Sequence, residues 1–397
     1  MPLLIVAGLL IIYGIAALFS VSIHESFTTT LSLIAKGKMV GEPSNYFYFF
    51  KQVSNLIYAL VVWWVLMIIP VSKLLKNERI ITIWLVIIFI LQISVFIIGD
   101  TYNGARWWID IPWLPSIQPS EFFKVAYVVF LGRWLTRKKH LLHDPAIMTK
   151  YVIVHIILFF VFLLIPDLGS IFVMGLTWLL MCAYAGVKTR YLWTTIALGS
   201  ITAMLWLAWL SAINKNFCGI DKIATLESTP TLCKFAYISR RLTVFLDPES
   251  DEDNRKSGRQ NRQALIAIGW WWLFGQWYGK WLQKFGYIPE AQSDFIFAAF
   301  AEESWLLGSL ITLILFSLLA YYTLIKVPEV KDDYFKNISI GLISLLIIQM
   351  FVNIGVNTRI LPNTWLTLPF ISYGGTALMA NIITVVLLYK ILYRPLK

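Results

Sequence analysis

Most of the chain is apolar, and its charged residues lie in a few short stretches. One stretch contains two carboxylates where a polar segment meets an apolar run of the kind that enters a membrane. Glu290 and Asp294 lie between Tyr287 and Phe297, directly before a long apolar run. A carboxylate at such a boundary is partly withheld from water, which raises its pKa toward the range of a general base. Helix capping by Ser293 or Asp294 is the structural alternative.

A second group is the arginine pair Arg240 and Arg241, in the polar stretch that ends at Asp247-Pro248. Guanidinium groups offer paired donors that match phosphate oxygens, which lysine cannot supply. The pair therefore suits a diphosphate. A solvated basic face is the equally weighted alternative.

The remaining groups lie within or between apolar runs. Glu121 and Lys124 follow Gln118-Pro119 and are three residues apart, hence on one helical face. They could form a structural ion pair or line a polar cavity for a headgroup. Asp167 stands in a Pro-Asp-Leu-Gly break between two apolar runs, where we expect it to cap the next helix.

The elements that position these residues are predicted from composition. The chain is 58% hydrophobic and only 14% charged, against about 45–50% and about 25% in soluble domains. A helix crosses a bilayer with about 20 apolar residues, and about ten such runs are present. They lie near 3–23, 53–71, 80–98, 119–135, 151–165, 168–186, 192–212, 295–325, 338–357 and 373–393. The predicted fold class is therefore an all-α membrane protein, with residues 1–397 forming one helical bundle.

Lysine and arginine are concentrated in alternate short loops, which places both termini in the cytoplasm. The first apolar run has no basic leader or small-residue cleavage site, so we expect it to be the first span rather than a signal peptide. A long polar segment, about 214–294, then falls outside, between spans seven and eight. Its tryptophan-rich part, from Gln263 to Gly286, is expected to form an amphipathic helix on the membrane or a helix packed on the bundle. The net charge of +11 is attributed to loops facing anionic lipid, and no nucleic acid is expected.

Two of the three cysteines, Cys218 and Cys233, are fifteen residues apart in the outer segment. Because oxidation is permitted there, a disulfide between them is expected, with two free thiols as the alternative. Cys182 lies in an apolar run and is expected to be an inert core thiol. No cysteine and histidine cluster has metal-ligand spacing, so a structural zinc site is not predicted.

Taken together, several motifs are highly specific for one family, because they occur in its order from about residue 100 to the end. The chain resembles the SEDS family (shape, elongation, division, sporulation), which includes FtsW, RodA and SpoVE. The matching segments are Asn103-Gly-Ala-Arg-Trp-Trp-Ile109, Gln118-Pro-Ser-Glu-Phe122, Pro166-Asp-Leu-Gly-Ser170, Arg240-Arg-Leu-Thr-Val-Phe-Leu-Asp-Pro248, Tyr287-Ile-Pro-Glu-Ala-Gln-Ser-Asp-Phe-Ile-Phe297, Asn353-Ile-Gly-Val-Asn-Thr358 and Leu366-Thr-Leu-Pro-Phe-Ile-Ser-Tyr-Gly-Gly375. The residues in these motifs are more similar to those of FtsW than to those of RodA.

The resemblance implies a ten-span bundle with a large fourth outer loop. It also implies peptidoglycan glycosyltransfer from lipid II at the outer face of the cytoplasmic membrane, with the family's essential aspartate at Asp294. The chain departs from the family at Trp270-Trp271-Trp272 and Trp277, where small or glycine residues are usual, and at Gln292, where histidine is usual. These departures bear on the substrate groove.

The implied reaction needs a base for the attacking 4-hydroxyl and positive charge for the departing undecaprenyl diphosphate. Asp294 is the candidate base. The candidate substrate-binding residues are Arg106, Glu121, Lys124, Arg240, Arg241 and Glu290. A divalent cation, Mg²⁺ or Mn²⁺, could assist.

Three other functions remain open at this stage. A RodA-like polymerase for elongation and cell shape is the alternative to septal wall synthesis in division. A lipid II flippase would suit the intramembrane Glu121, Lys124 and Asp167. A non-catalytic scaffold would suit the tryptophan departure. The expected partners are a single-span class B penicillin-binding protein and other division or elongation proteins.

Overall fold

The computed structural model describes residues 1–102, 105–110, 115–164, 167–217, 245, 256–269 and 288–394. Over these residues the chain is mainly helical. The helices in chain order are α1 (Pro2–Val21), α2 (Ile23–Ala35), α3 (Phe47–Ile68), α4 (Val71–Lys76), α5 (Glu78–Ile98), α6 (Pro119–Arg137), α7 (Pro145–Leu164), α8 (Leu168–Tyr184), α9 (Thr189–Phe217), α10 (Lys256–Gly269), α11 (Ile296–Leu324), α12 (Asp333–Asn357) and α13 (Gly375–Tyr393). Two short 3₁₀ segments, Lys139–Leu141 and Val327–Glu329, join neighbouring helices.

Each apolar run of the sequence falls on one of these helices. Within the described ranges, six segments are long and apolar enough to cross a membrane, which makes the chain an integral membrane protein. These are Pro2–Val21, Phe47–Ile68, Glu78–Ile98, Leu306–Glu329, Asp333–Asn357 and Gly375–Tyr393. The expected number of ten spans stays a prediction. At 1.5 Å per residue, α11 is about 44 Å long, so its first turns project beyond a hydrocarbon layer of about 30 Å.

The centre of the bundle is formed by α6, α12 and α13, and its periphery by α3 and α5. Buried residues make up 72% of the most apolar stretch of α12 and 83% of that of α13, but only 22% of that of α5. Exposed side chains on α5 are large and apolar, such as Ile83 and Ile97. Such a surface matches lipid rather than water.

A small antiparallel hairpin precedes α6 and places Arg106. It consists of β1 (Asp100–Tyr102) and β2 (Ala105–Trp108), with Thr101 opposite Arg106. Beyond the hairpin, Ile109 pairs with Ile117, which leads the chain into α6. The backbone of Arg106 is therefore fixed next to the start of α6.

Asp167 caps a helix, as the sequence predicts. Its carboxylate accepts a hydrogen bond from the Ser170 N–H at 3.0 Å, at the start of α8. Cys182 is a buried free thiol. The predicted Cys218–Cys233 disulfide falls outside the described residues and stays a prediction. Of the helix predicted from Gln263 to Gly286, residues 263–269 belong to α10, and the remainder lies outside the described residues.

Candidate functional site

Asp294 lies in a turn at one end of the bundle. This Asp294 turn, residues 288–295, leads into α11. Glu290 has a positive φ of 57°, so it is not helical, and Glu290 and Asp294 do not share a helical face. The α11 N-cap is Phe295 and it makes no side-chain cap bond, which removes capping by Ser293 or Asp294 as the explanation of these residues.

Three amide side chains on α12 form what we call the polar ladder: Gln349, Asn353 and Asn357. They are four residues apart and therefore lie on one face of the helix. All three are almost completely buried, at 1% exposed or less. Buried amides at this spacing in an otherwise apolar helix must find hydrogen-bond partners, because unsatisfied polar groups are costly in a membrane.

Asn353 and Asn357, the two members of the polar ladder nearest the end of α12, fix the backbone of Asp294. The carbonyl of Asp294 accepts hydrogen bonds from Asn353 Nδ2 and Asn357 Nδ2, each at 2.9 Å. Asn357 Oδ1 also accepts the backbone N–H of Ala298 at 3.0 Å. Asn357 therefore joins the end of α12 to both the Asp294 turn and the first turn of α11.

The segment that connects α12 to α13, residues 358–374, is here called the return loop, and it holds the other side of the turn. Ser372 Oγ donates to the Ser293 carbonyl at 2.5 Å, and the Tyr373 N–H donates to the Gln292 carbonyl at 2.9 Å. The carbonyls of three consecutive residues, 292, 293 and 294, are thus all fixed by other elements. The side chain of Asp294 is left partly exposed.

The return loop reaches down into the bundle. Asn353 Nδ2 donates to the Leu366 carbonyl at 2.7 Å, and Gln349 Nε2 donates to the Thr367 carbonyl at 3.1 Å. Gln349 lies eight residues before Asn357, which is about 12 Å along the helix. Non-helical backbone is tolerated at such depth because the polar ladder satisfies its carbonyls.

Glu121 and Lys124 form an ion pair, which is one of the two arrangements that their spacing left open. Lys124 Nζ lies 2.9 Å from Glu121 Oε1 and 3.1 Å from Gln349 Oε1, with the lysine only 1% exposed. Removing one member of a buried pair is strongly destabilising, since it leaves the other charge without compensation. The pair supports the lower end of the polar ladder, which favours its structural interpretation; substrate binding by these residues stays a proposal.

Residues of α2 and α3 lie beside the Asp294 turn, which the sequence did not predict. We call Glu25, Thr29 and Tyr48 the rim. The Glu25 carboxylate accepts a hydrogen bond from the Glu290 backbone N–H, and burial raises the pKa of Glu25 above its usual value while that bond lowers it. Tyr48 packs its ring edge on Tyr373 with centroids 4.9 Å apart, and its hydroxyl is 3.2 Å from Thr29 Oγ1. The segment from α2 to α3 therefore encloses the Asp294 turn.

The cationic candidates are only partly placed. Arg240 and Arg241 lie outside the described residues, and only the backbone of Arg106 is described. Arg359, which the sequence gave no reason to select, follows Asn357 closely and donates to the Phe245 carbonyl at 3.4 Å. Phe245 is the only residue of the Arg240–Pro248 motif among the described residues, and it lies beside Arg359 after the end of α12.

A protein-only metal centre is not present in the described part of the chain. There, no three or more His, Cys, Asp or Glu side chains are grouped to hold an ion. Magnesium is commonly bound by one or two carboxylates together with substrate phosphates.

The fold and site define a helical integral membrane protein with an aspartate turn fixed at one end of its bundle. The chain belongs to the FtsW, RodA and SpoVE family, whose sequence profile, described as "Cell cycle protein", matches residues 2–395. The resemblance found from the motifs is thereby confirmed.

Individual relatives support the same family assignment. Stage V sporulation protein E of Bacillus subtilis (strain 168) is 36% identical over 312 residues, which are 77% of each chain. A probable peptidoglycan glycosyltransferase FtsW of Wigglesworthia glossinidia brevipalpis is 34% identical over 346 residues, 85% of this chain and 81% of that one.

Solved structures share the fold. A chain of a peptidoglycan synthase complex has a TM-score of 0.68 at 21% identity, covering 98% of this chain and 96% of its own. The rod-shape-determining protein RodA of Thermus thermophilus has a TM-score of 0.63 at 20% identity, covering 98% and 95%.

Proposed function

We propose that this protein is a peptidoglycan glycosyltransferase that polymerises lipid II, with Asp294 as the general base. In this reaction the 4-hydroxyl of one disaccharide attacks the anomeric carbon of another. The new glycosidic C–O bond forms as the bond to the diphosphate oxygen breaks. The hydroxyl proton passes to the Asp294 carboxylate, and undecaprenyl diphosphate leaves with the bonding electron pair.

The observation that carries the proposal is the way the Asp294 turn is held. A general base must be positioned within hydrogen-bond reach of its proton, and small displacements are costly. Here the backbone is fixed at three consecutive carbonyls while the carboxylate remains partly exposed. That arrangement suits a reacting group better than a packing or capping residue.

Charge for the leaving diphosphate is assigned to Arg106, Arg240 and Arg241. Arg359 is added because it donates to the carbonyl of Phe245, which is close to Arg241 in the sequence. Lys124 is buried and paired with Glu121, so we assign it to support of the polar ladder rather than to the diphosphate. A divalent cation, if required, would bind chiefly through the substrate diphosphate.

The direct test uses purified full-length protein, lipid II and detergent. Elongation of lipid II into glycan strands is expected, and the addition of EDTA measures the requirement for a divalent cation. A preparation that is folded and binds lipid II but makes no strands, alone or with a class B penicillin-binding protein, would contradict the assignment.

A lipid II flippase is the second candidate, and the buried Glu121–Lys124 pair is the observation that favours it. Detergent separates the two functions, because flipping has no meaning without a bilayer. Strand synthesis in detergent supports the polymerase.

The cellular role is proposed to be septal. The FtsW-like residues in the motifs support a septal role, as do relatives named FtsW. Depletion should then give filaments with unfinished septa, whereas rounded cells with complete septa would indicate elongation. A class B penicillin-binding protein is the proposed partner, because the structural relative comes from a peptidoglycan synthase complex, and co-purification tests it.

A further inference from the structure

A charged cavity lies at the end of the bundle opposite Asp294. It has a volume of about 280 Å³ and is lined by Glu78, Ile81, Thr82, Phe130, Arg133, Trp134, Arg137 and Lys138. A wider depression of about 730 Å³ adjoins it through Glu78 and Thr82, and adds Lys76, Asn77, Arg79 and Ile83. Together we call them the α5–α6 pocket.

Its distance from Asp294 follows from α12. Asn337, near the start of α12, donates from Nδ2 to Thr136 Oγ1 at 2.9 Å, beside Arg137. Asn357, at the other end of α12, holds the Asp294 turn. These two asparagines are twenty residues apart, which is about 30 Å along the helix. The α5–α6 pocket is therefore a separate site at the other membrane face.

The pocket is strongly cationic. Five basic residues line it, Lys76, Arg79, Arg133, Arg137 and Lys138, against one carboxylate, Glu78. Glu78 pairs with Arg137 and lies 3.8 Å from Arg133. After these contacts an excess of positive charge remains, and it favours an anionic ligand.

Arg133 is pre-oriented within the pocket. Its guanidinium lies 5.5 Å from the ring centroid of Tyr334, and its side chain is 28% exposed. A guanidinium that is already held loses less freedom on binding and can donate to two phosphate oxygens. The geometry thus suits a phosphate group.

The wall of the pocket continues onto a lipid-facing helix surface. Ile83, which lines the depression, and Val86 and Ile87 above it on α5 are 48–58% exposed. Trp134 also lines the cavity, and its ring is stacked on Tyr151 with centroids 3.5 Å apart, so it forms a fixed apolar wall. A ligand with a phosphate head and an apolar tail fits both parts at once.

We propose that the α5–α6 pocket binds the phosphodiester headgroup of an anionic membrane phospholipid, with its acyl chains along α5. Basic pockets between transmembrane helices bind anionic headgroups, and each cation contributes to the affinity. The site is independent of the reaction at Asp294.

The test is native mass spectrometry of delipidated full-length protein titrated with dioleoyl phosphatidylglycerol. Phosphatidylcholine and inorganic phosphate are the comparison ligands. Lys138→Gln should weaken phosphatidylglycerol binding about fivefold, as expected for one cation. Glu78→Gln should tighten it by a similar factor, because the competing carboxylate is gone. A gain of affinity cannot arise from misfolding.

Lys139→Gln is the matched control. It removes the same charge one residue further along, but Lys139 pairs with Asp333 at 2.7 Å and does not line the pocket. Its affinity should stay within about twofold of wild type, as for a charge outside the site. Equal losses in Lys138→Gln and Lys139→Gln would overturn the proposal, as would equal binding of phosphatidylcholine. Full competition by inorganic phosphate would indicate a free-anion site instead of a lipid site.

Discussion

Replacing Asn357 should impair the reaction without removing any reacting group. Asn357→Ala deletes the bonds to the Ala298 N–H and the Asp294 carbonyl, and two more from Nδ2 to Asn353, to its carbonyl at 2.8 Å and to its Oδ1 at 3.3 Å. Side-chain hydrogen bonds within membrane proteins contribute about 0.6 kcal/mol each on average. Four such bonds give a stability loss of about 2 kcal/mol, and a shift of the turn by about 1 Å would cost about 10²-fold in rate.

A second substitution sharpens this prediction. Asn357→Asp keeps an acceptor for the Ala298 N–H but turns the donor into an acceptor that faces two carbonyl oxygens. It should therefore be at least as harmful as Asn357→Ala, although it is nearly isosteric. The assay is glycan-strand synthesis from lipid II, with thermal unfolding measured on the same preparations.

The control is Asn337→Ala, on the same helix about 30 Å from the site. Asn337 is also buried and makes one side-chain bond, to Thr136. The free energy of unfolding of Asn337→Ala should fall by about 1 kcal/mol or less, and the variant should keep its activity. The loss of activity per kcal/mol of lost stability is compared between the two variants. If it were the same in Asn337→Ala and Asn357→Ala, the proposed positioning by Asn357 would be refuted.

Other predictions concern the return loop and the rim. Because Trp365 has a positive φ of 52°, thermal unfolding should show Trp365→Gly more stable than Trp365→Ala, by about 1 kcal/mol; the usual order, alanine above glycine, would contradict the strain. Burial raises the pKa of Glu25, so its stabilising contribution is present below pH 4.5 and lost as pH rises through the folded-state pKa. Glu25→Gln should therefore gain melting temperature relative to wild type with increasing pH, and a pH-independent difference would contradict this. Ser372→Ala removes the bond to the Ser293 carbonyl and should lower kcat about tenfold or more with little change in KM; a change in KM alone would indicate a binding role.

Much of the fold follows from the apolar runs. They predict helix positions well because a membrane segment must satisfy its own backbone hydrogen bonds. The run near 3–23 is α1 and the run near 373–393 is α13, each within two residues or so at its ends. The Glu121–Lys124 pair was also predictable, since it depends only on local helical spacing.

The sequence selects Asp294 as a candidate residue, and its role stays a prediction; the contacts that surround it could not be predicted. The polar ladder carried a signal, amides at intervals of four in an apolar helix, yet the sequence does not say which backbone carbonyls they satisfy. The positive φ of Glu290 is a backbone conformation that glutamate rarely adopts, so the residue type gave no sign of it. Glu25 lies more than 260 residues away along the chain, and only the folded bundle brings it to the Glu290 N–H.

The central claim, that Asp294 is the base, is tested most directly by the rate of strand synthesis in Asp294→Asn. The substitution leaves the fixed carbonyls of residues 292–294 untouched, because those bonds involve the main chain of the turn. Folding and lipid II binding should therefore match wild type, while the rate falls about 10²–10⁴-fold. Glu290→Gln tests the neighbouring carboxylate, a candidate substrate-binding residue, and should lose much less activity than Asp294→Asn. Polymerisation that persists in Asp294→Asn but disappears in Glu290→Gln would contradict the account.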